Sequence, residues 1–403
     1  MANNNIKTNS LCSLVTIRAA ESAGYLTVGS KANFKDQLVG KRNGQTYRFV
    51  TKDTGEAKQG LSIGDSDDVN IVEREIPLSL DPWHVAVKTD AIETVTDMDM
   101  DKEIGEPNGQ KLINAIVKNQ IGKDFGKAGA GFVGSAFAPL SQASAYLSAI
   151  TNEELYGFCD PNVEAILTSN GQQFVPVNAP DMYSKGLLGK FHGAEYRAQR
   201  FLPSVVISSV VEKALNAASV TSFTNVVDGE ATVVLGFAAT TAASTIKKGT
   251  PIWIEGVYGT DTVGDMASNE KVWIVLNDVN VASGATSATI KVCGVQMENS
   301  TREICDANGS NMTNAKFASR KVSAPEAGKY YMGIVRANGS YEFETLDKID
   351  AAGADYQKET VNGVTVHMNK LVDLKSMDNW TRFDTITLAG VIEPRCVAYF
   401  WVK

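Results

Sequence analysis

The chain is predicted to be an α+β protein carrying a small all-β module inserted into a mixed scaffold. Three observations predict it. Residues 220–300 are rich in Thr, Val, Gly and Ala and break into short strand-like runs separated by turn signals, the pattern of a small barrel or sandwich. Mixed helical and strand-like stretches lie on both sides of that block. Residues 72–93, VEREIPLSLDPWHVAVKTDAIE, read as an alternating strand, an acidic turn, a second alternating strand and a helix start.

Bulk properties bound the function. The 403 residues carry a formal net charge of -8, in an ordinary globular composition long enough to bury a sizeable core. An acidic balance is not that of a sequence-specific nucleic-acid binder. No window approaches the roughly 18 apolar residues of a membrane helix. The start, MANNNIKTNSLCSLV, lacks a charged segment followed by a long apolar run, so no export signal is expected. The cysteines, Cys12, Cys159, Cys293, Cys305 and Cys396, are odd in number and scattered, which points to a reducing compartment.

Residues 1–30 read as an arm with a short helix at 11–20. Residues 31–80 read as a hairpin with oppositely charged limbs. The first limb carries Lys31, Lys35, Lys41, Arg42, Arg48, Lys52 and Lys58; the second carries Asp65, Asp67, Asp68, Glu73 and Glu75. A lone hairpin is marginal in water and needs a surface to lie on. Charge pattern alone leaves two readings open: a second copy supplies that surface, or the hairpin is a solvated feature of its own chain.

Asp97, Asp99 and Asp101 imitate a calcium loop, but Lys102 and Asn108 stand where an EF-hand needs Gly and Glu. These acids are better read as complementing the N-terminal dipole of a following helix. That helix is expected near 109–125, with Leu112, Ile113, Ile116, Val117 and Ile121 on one face. Residues 129–134, GAGFVG, match G-x-G-x-x-G, but the preceding QIGKDFGKA is not the buried strand that a dinucleotide site requires. A flexible connector is expected there. Further on, 143–150 and 152–158 read as helices, 165–169 as a short strand and 201–209 as another strand. Within the β-block, strands are expected near 232–236, 251–255, 272–276 and 288–292. Residues 301–330 read as a polar loop with short structure, and strands resume from Tyr330 and end in 384–387 and 397–402.

Catalytic signatures are sparse. His84, His192 and His367 are far apart, and no G-x-S-x-G, GxxxxGK[ST] or HExxH motif occurs. His84 is expected in a packing or turn role at a strand start. Trp253, Trp273, Trp380 and Trp401 are expected in the core. No catalytic, cofactor-binding or metal-binding residue is expected, and no cofactor.

Three stretches carry a family resemblance. They are 72–93; then 246–294, with IKKGTPIWIEGVY, KVWIVLNDV and SATIKVCG; then 379–397, NWTRFDTITLAGVIEPRCV, with Arg382, Phe383, Asp384, Gly390, Val391, Glu393 and Pro394. In this order they resemble the coat proteins of tailed double-stranded DNA phages, specifically the phage P-twenty-two coat family. The resemblance implies a Hong Kong 97-type phage capsid fold with an inserted barrel-like domain. It implies an N-terminal arm at 1–30, an extended hairpin loop at 31–80 and a peripheral domain with a spine helix at 81–134. It also implies an axial domain beginning at 135–219, the inserted domain at 220–300, and a return to both domains at 301–403. The extended loop would lie over an adjacent subunit, with Lys41, Arg42, Arg48, Lys52, Lys58, Asp65, Asp67 and Asp68 as contact residues. The family's inserted domain often carries a long acidic loop near its start; residues 225–230 are short here. The contact that such a loop makes is then either missing or made by the loop at 258–269, with Asp261 and Asp265.

The implied function is a major capsid protein in the virion, assembled in the host cytoplasm through a scaffold-guided procapsid. Its partners would be its own copies in pentamers and hexamers, scaffolding and portal proteins, and packaged DNA contacted non-specifically, with no membrane. The alternatives are an encapsulin-like cage and an oxidoreductase using 129–134. A secreted adhesin or surface-layer protein is disfavoured by the missing export signal.

Overall fold

In a computed structural model the chain is described over residues 2–31, 46–52, 73–90, 100–171, 189–298, 301–346, 355–373 and 378–403. It divides into two compact units. One comprises Met1–Tyr47, Leu78–Lys123 and Tyr341–Gly390; the other comprises Arg48–Pro77, Asp124–Ser340 and Val391–Lys403.

Helix α1 (Ala2–Ser22) opens the chain. It buries Leu11, Cys12, Val15 and Ala19, and it is longer than the expected 11–20. A single turn, α2 (Gly24–Thr27), buries Tyr25 and Leu26 and leads to β1 (Ser30–Lys31). β2 (Thr46–Lys52) and β3 (Glu73–Asp90) pair with each other. β3 passes straight through Asp81 and Pro82, where the sequence predicts a turn. Burial alternates along it from Asp81 to Lys88, as on a strand with one face turned to a core. The tertiary ladder overrides the Asp-Pro turn signal, because Leu80 to Asp90 all pair with one partner strand in the C-terminal region.

Helix α3 (Met100–Asp124) includes Pro107 and begins well before residue 109. Its predicted face is buried, with Leu112, Ile113, Ile116, Val117 and Ile121 each at most 6% exposed. Its N-terminal half crosses α1 at Gly105 and Gly109. A Cβ on Gly109 would stand 2.4 Å from the Val15 carbonyl oxygen, so only glycine lets the two backbones meet. Asp101 lies in the first turn of this helix; Asp97 and Asp99 lie outside the described residues.

The second unit begins with a correction. Residues 130–134 form a strand, β4 (Ala130–Gly134), and not a flexible connector. Helix α4 (Ala138–Ile150) follows as expected. Residues 152–158, expected to be helical, instead enter β5 (Leu155–Cys159). Gly157 explains the override: a Cβ there would collide with the Tyr196 ring at 2.3 Å, so the glycine is where a neighbouring strand's aromatic lies flat on the backbone. The expected strand at 165–169 is part of helix α5 (Pro161–Gly171). Its Val163 and Leu167 are four apart and fully buried, and Asp160 accepts the Asn162 amide at its start. β6 (Gly189–Phe191), β7 (Ala194–Ala198), β8 (Ser204–Ile207) and the Ser208-capped helix α6 (Ser209–Asn216) complete this part.

The inserted module contains β9 (Ser219–Thr224), β10 (Glu230–Gly236), β11 (Ser244–Ile246), β12 (Pro251–Thr260), β13 (Met266–Ile274), β14 (Val279–Val281) and β15 (Ser287–Cys293). β16 (Ile304–Asp306) and β17 (Val322–Ser323) both pair with β12, so the module continues through residues read as loop in the sequence. Three small sheets, β15-β10-β9, β11-β14 and β13-β12-β16, enclose Ile252, Ile254, Val272, Ile274 and Ile290, each at most 1% exposed. Phe223 and Phe317 stack at 3.9 Å, with Trp273 edge-on at 5.3 Å from Phe223.

β18 (Gly328–Ala337), β19 (Tyr341–Thr345), β20 (Asp355–Val361), β21 (Val364–Asp373), β22 (Asp378–Val391) and β23 (Val397–Val402) close the chain. In the first unit the sheet order is β1-β19-β22-β21-β20, with β3 also on β22, and α1 packs on β20 and β21. In the second it is β4-β23-β18-β5-β7-β6, with β8 also on β18. β23 is buried at all six positions, as expected of a central strand covered on both faces.

Candidate assembly surfaces and the seam of the inserted module

Of the hairpin residues expected to touch another subunit, Arg48 and Lys52 lie on β2. Lys41, Arg42, Lys58, Asp65, Asp67 and Asp68 lie outside the described residues. Among the described residues β2 pairs with no strand but β3.

Asp261 and Asp265 are brought together at the tip of the β12–β13 hairpin. The Asp261 amide donates to the Asp265 carbonyl at 2.9 Å, and the Asp261 carboxylate accepts the amides of Val263 and Asp265, both at 2.9 Å. Gly264 turns the chain at φ 92°, which favours glycine. The tip is tethered from outside, since Arg395 donates to the Asp261 carbonyl and Arg302 to that of Gly264. The Asp261 carboxylate thus serves its own turn, and the exposed side chains beside it include the apolar Val263 and Met266.

The G-x-G-x-x-G motif finds its explanation here. Its glycines lie in and just before β4, which pairs in parallel with β23, Gly131 opposite Tyr399. A dinucleotide loop needs them in a turn at a helix N-terminus, so the geometry removes that reading. What they provide is close approach. A Cβ on Gly131 would lie 2.8 Å from both Cβ and Cγ2 of Val272, on the module, and 2.8 Å from Trp401. A Cβ on Gly129 would lie 2.8 Å from the Tyr146 hydroxyl, and one on Gly259 of the module 3.1 Å from the Gly129 carbonyl.

Two buried cations cross the same seam in opposite directions. Lys271 of the module donates to the Ala128 carbonyl, and Arg395 of the scaffold donates to the Asp261 carbonyl of the module at 3.0 Å. Lys271 is 2% exposed and Arg395 5%. Glu393 grips the Arg395 guanidinium with both oxygens at 2.7 and 2.8 Å. Burial works against the Arg395 charge, yet the Glu393 hydrogen bonds and charge hold its pKa above the ordinary value. Burial pushes Cys293 up to about 11 despite Lys127 and Lys271, and Cys396 up to about 12. A cavity of about 50 Å³ lies at the seam, lined by the polar Lys127, Asp228, Lys271 and Glu303 and the apolar Ile76 and Val295. Allowing roughly 10–15 Å³ each, it has room for about three to five waters. None of these seam residues carries a sequence signal except the glycines, whose spacing points to the wrong chemistry.

The histidines are separated in the fold. His84 is exposed in mid-β3, a correction to the strand-start placement. His192 sits at φ 47° in the β6–β7 turn beside Gly193. His367 is buried, with its ring nitrogens on the Tyr356 hydroxyl at 2.6 Å and the Leu346 carbonyl at 3.1 Å. Among the described residues no group of three or more His, Cys, Asp or Glu could hold a metal, and no helix is long and apolar enough to cross a membrane. Trp273 and Trp401 are core residues as expected, whereas Trp380 is 43% exposed. The outward face of β22 carries it, because Phe383 and Thr385 claim the inward face.

No family model matches the chain, and no curated protein matches it. Among solved structures it is similar to the capsid of Ralstonia phage GP4, at 7% identity over 93% of this chain and 87% of that one, with a TM-score of 0.44. A chain of Mycobacterium phage Che8 aligns at 10% identity over 93% and 89%, with a TM-score of 0.42. The virus-like particle from Pyrococcus furiosus aligns at 9% identity over 97% and 98%, with a TM-score of 0.41.

Proposed function

We propose that the chain is the major capsid subunit of a tailed double-stranded DNA phage, with a Hong Kong 97-type fold and an inserted domain of the P-twenty-two coat kind. The observation that carries the reading is the β2–β3 ribbon. It is a two-stranded arm whose limbs have opposite charge, and among the described residues β2 has no sheet neighbour but β3. Such a ribbon is marginal by itself. A second copy of the chain supplies the surface it needs, and opposite charges set register between copies more than affinity. Repeated around a shell, contacts burying on the order of 2,000 Å² each reinforce one another.

On this reading the copies form pentamers and hexamers of the virion shell, assembled in the host cytoplasm. A scaffolding protein guides a procapsid, a portal occupies one vertex, and DNA enters with expansion of the shell. The test is deletion of residues 41–65. The expected product is a folded subunit that makes no regular shells by negative-stain microscopy; normal shells from the deletion would overturn the role of the ribbon.

A further inference from the structure

We propose that Asn362 and Gly363, the two-residue tip between β20 and β21, form a self-modification site at which the folded chain converts its own asparagine to aspartate and isoaspartate. The reaction needs only water and no second copy, so it stands apart from the capsid reading. Asn-Gly pairs are open to this chemistry because glycine puts no side chain beside the attacking amide. The chain holds such pairs at 43–44, 108–109, 170–171, 308–309, 338–339 and 362–363, and the fold sorts them. Asn108 lies inside α3, is 7% exposed and donates its side-chain amide to the Ile104 carbonyl at 2.7 Å. Asn308 is exposed, but the Gly309 N–H that would have to attack donates to the Asp306 carbonyl at 2.9 Å. The Asp306 carboxylate also holds the Asn308 and Ser310 amides, both at 3.0 Å. Asn338 is half-buried in a clamped turn: its amide donates to the Glu154 carbonyl at 2.7 Å, and the Ser340 carbonyl accepts from Ile392 and Glu393. Asn362 and Gly363 are both exposed, at φ 49° and 79°. Among the described residues no carbonyl accepts the Gly363 N–H. The register pair Val361 and Val364 closes the tip. Only this last rung must open for the Asn362 side chain to swing onto the Gly363 nitrogen.

The Gly363 nitrogen gives its proton to hydroxide and bonds to Asn362 Cγ. The Cγ–Nδ2 bond breaks, and the nitrogen leaves as ammonia after taking a proton from water, which restores the hydroxide. A five-membered imide is left. Water opens it at Cγ to give aspartate, or at the main-chain carbonyl to give isoaspartate. Either product adds one negative charge. Aspartate fits the left-handed φ of this tip. Isoaspartate carries the main chain through Cβ and Cγ, which adds one atom to a turn whose length sets the register. The misfit falls on Thr345, whose hydroxyl donates to the Gly363 carbonyl and accepts the Thr365 amide, both at 3.0 Å, and on the Thr360–Thr365 hydroxyl pair. Among the described residues β20 pairs with no strand but β21, so isoaspartate loosens an edge of this sheet.

The test incubates the full-length subunit, folded and in urea, in heavy-oxygen water, then digests it and reads each Asn-Gly pair by mass spectrometry. The heavy oxygen marks only what reacts before digestion. In the folded chain Asn362 is expected to convert at least about tenfold faster than Asn108, Asn308 and Asn338, because a hairpin tip opens far more often than a helix interior or a clamped turn. In urea the four converge. The rate at Asn362 rises with pH, since the Gly363 proton is removed first, and Asn362→Gln abolishes the signal there, since its ring would need one more atom. Asp306→Ala, which releases the Asn308 and Ser310 amides, is expected to speed Asn308 and leave Asn362 unchanged. Asn308 or Asn338 converting as fast as Asn362 in the folded chain, or Asn362 staying intact while the urea sample converts, would overturn the proposal.

Discussion

Replacing Gly131 tests the seam directly. An alanine Cβ at 131 would meet two atoms of Val272 and one of Trp401, all at 2.8 Å. Carbon atoms pack at about 3.5–4.0 Å, so each neighbour must retreat by about 0.7 Å or more. Neither neighbour is a flexible end. Val272 and Trp401 are fully buried in strands, and the ladder to β23 holds β4 in register. Overpacking of this kind costs about 1–3 kcal/mol; Gly131→Ala belongs at the upper end and Gly131→Val beyond it. With an unfolding entropy of about 2.1 cal/mol/K per residue over 403 residues, about 3 kcal/mol lowers the melting midpoint by roughly 3–4 °C. The assay is thermal and urea unfolding of the unassembled subunit, with Gly122→Ala as control. Gly122 lies in α3, and a Cβ there would meet no described residue within 4 Å, so alanine gains about 0.5–1 kcal/mol. If Gly131→Ala proves as stable as wild type, the close approach of module and scaffold at β4 is wrong.

Three further outcomes follow from the same geometry. Arg395→Met strands the Glu393 carboxylate and the Asp261 carbonyl, and urea unfolding is expected to show a loss of about 3–5 kcal/mol. Asp306 is held down to about 2, first by the Lys316 hydrogen bond and then by the Ser310 and Asn308 amides. Its folded pKa lies below the ordinary 3.8, so its contribution is complete above that value and is lost as pH falls through about 2; carboxyl-carbon NMR should show that midpoint, and Lys316→Ala should raise it. Burial raises Cys12 and Cys293 to about 11 and Cys396 to about 12. At pH 8 these thiols should react with a disulfide reagent only slowly until denaturant is added, and fast labelling of Cys396 in the native chain would contradict its burial.

The sequence by itself determined the elements whose signal is local. The apolar face of α3, the strands of the inserted module and the alternation along β3 follow from periodicity, because the same side chains that set the pattern make the core. Trp273 and Trp401 are buried for the same reason. Tertiary structure decided what depends on a partner distant in the chain. Residues 155–159 are a strand because Tyr196 lies over Gly157, and 161–171 a helix because Val163 and Leu167 meet the core of the second unit. The β3 strand ignores its Asp-Pro turn because β22 supplies an unbroken ladder. Trp380, apolar in sequence, faces outward because Phe383 and Thr385 hold the other side of the same strand. The glycines of GAGFVG spell a nucleotide loop locally, and only Val272, Trp401 and Gly259, brought from more than a hundred residues away, make them the point where two backbones touch. A side chain's spacing is written in the sequence; the atoms that will press against it are chosen by the fold.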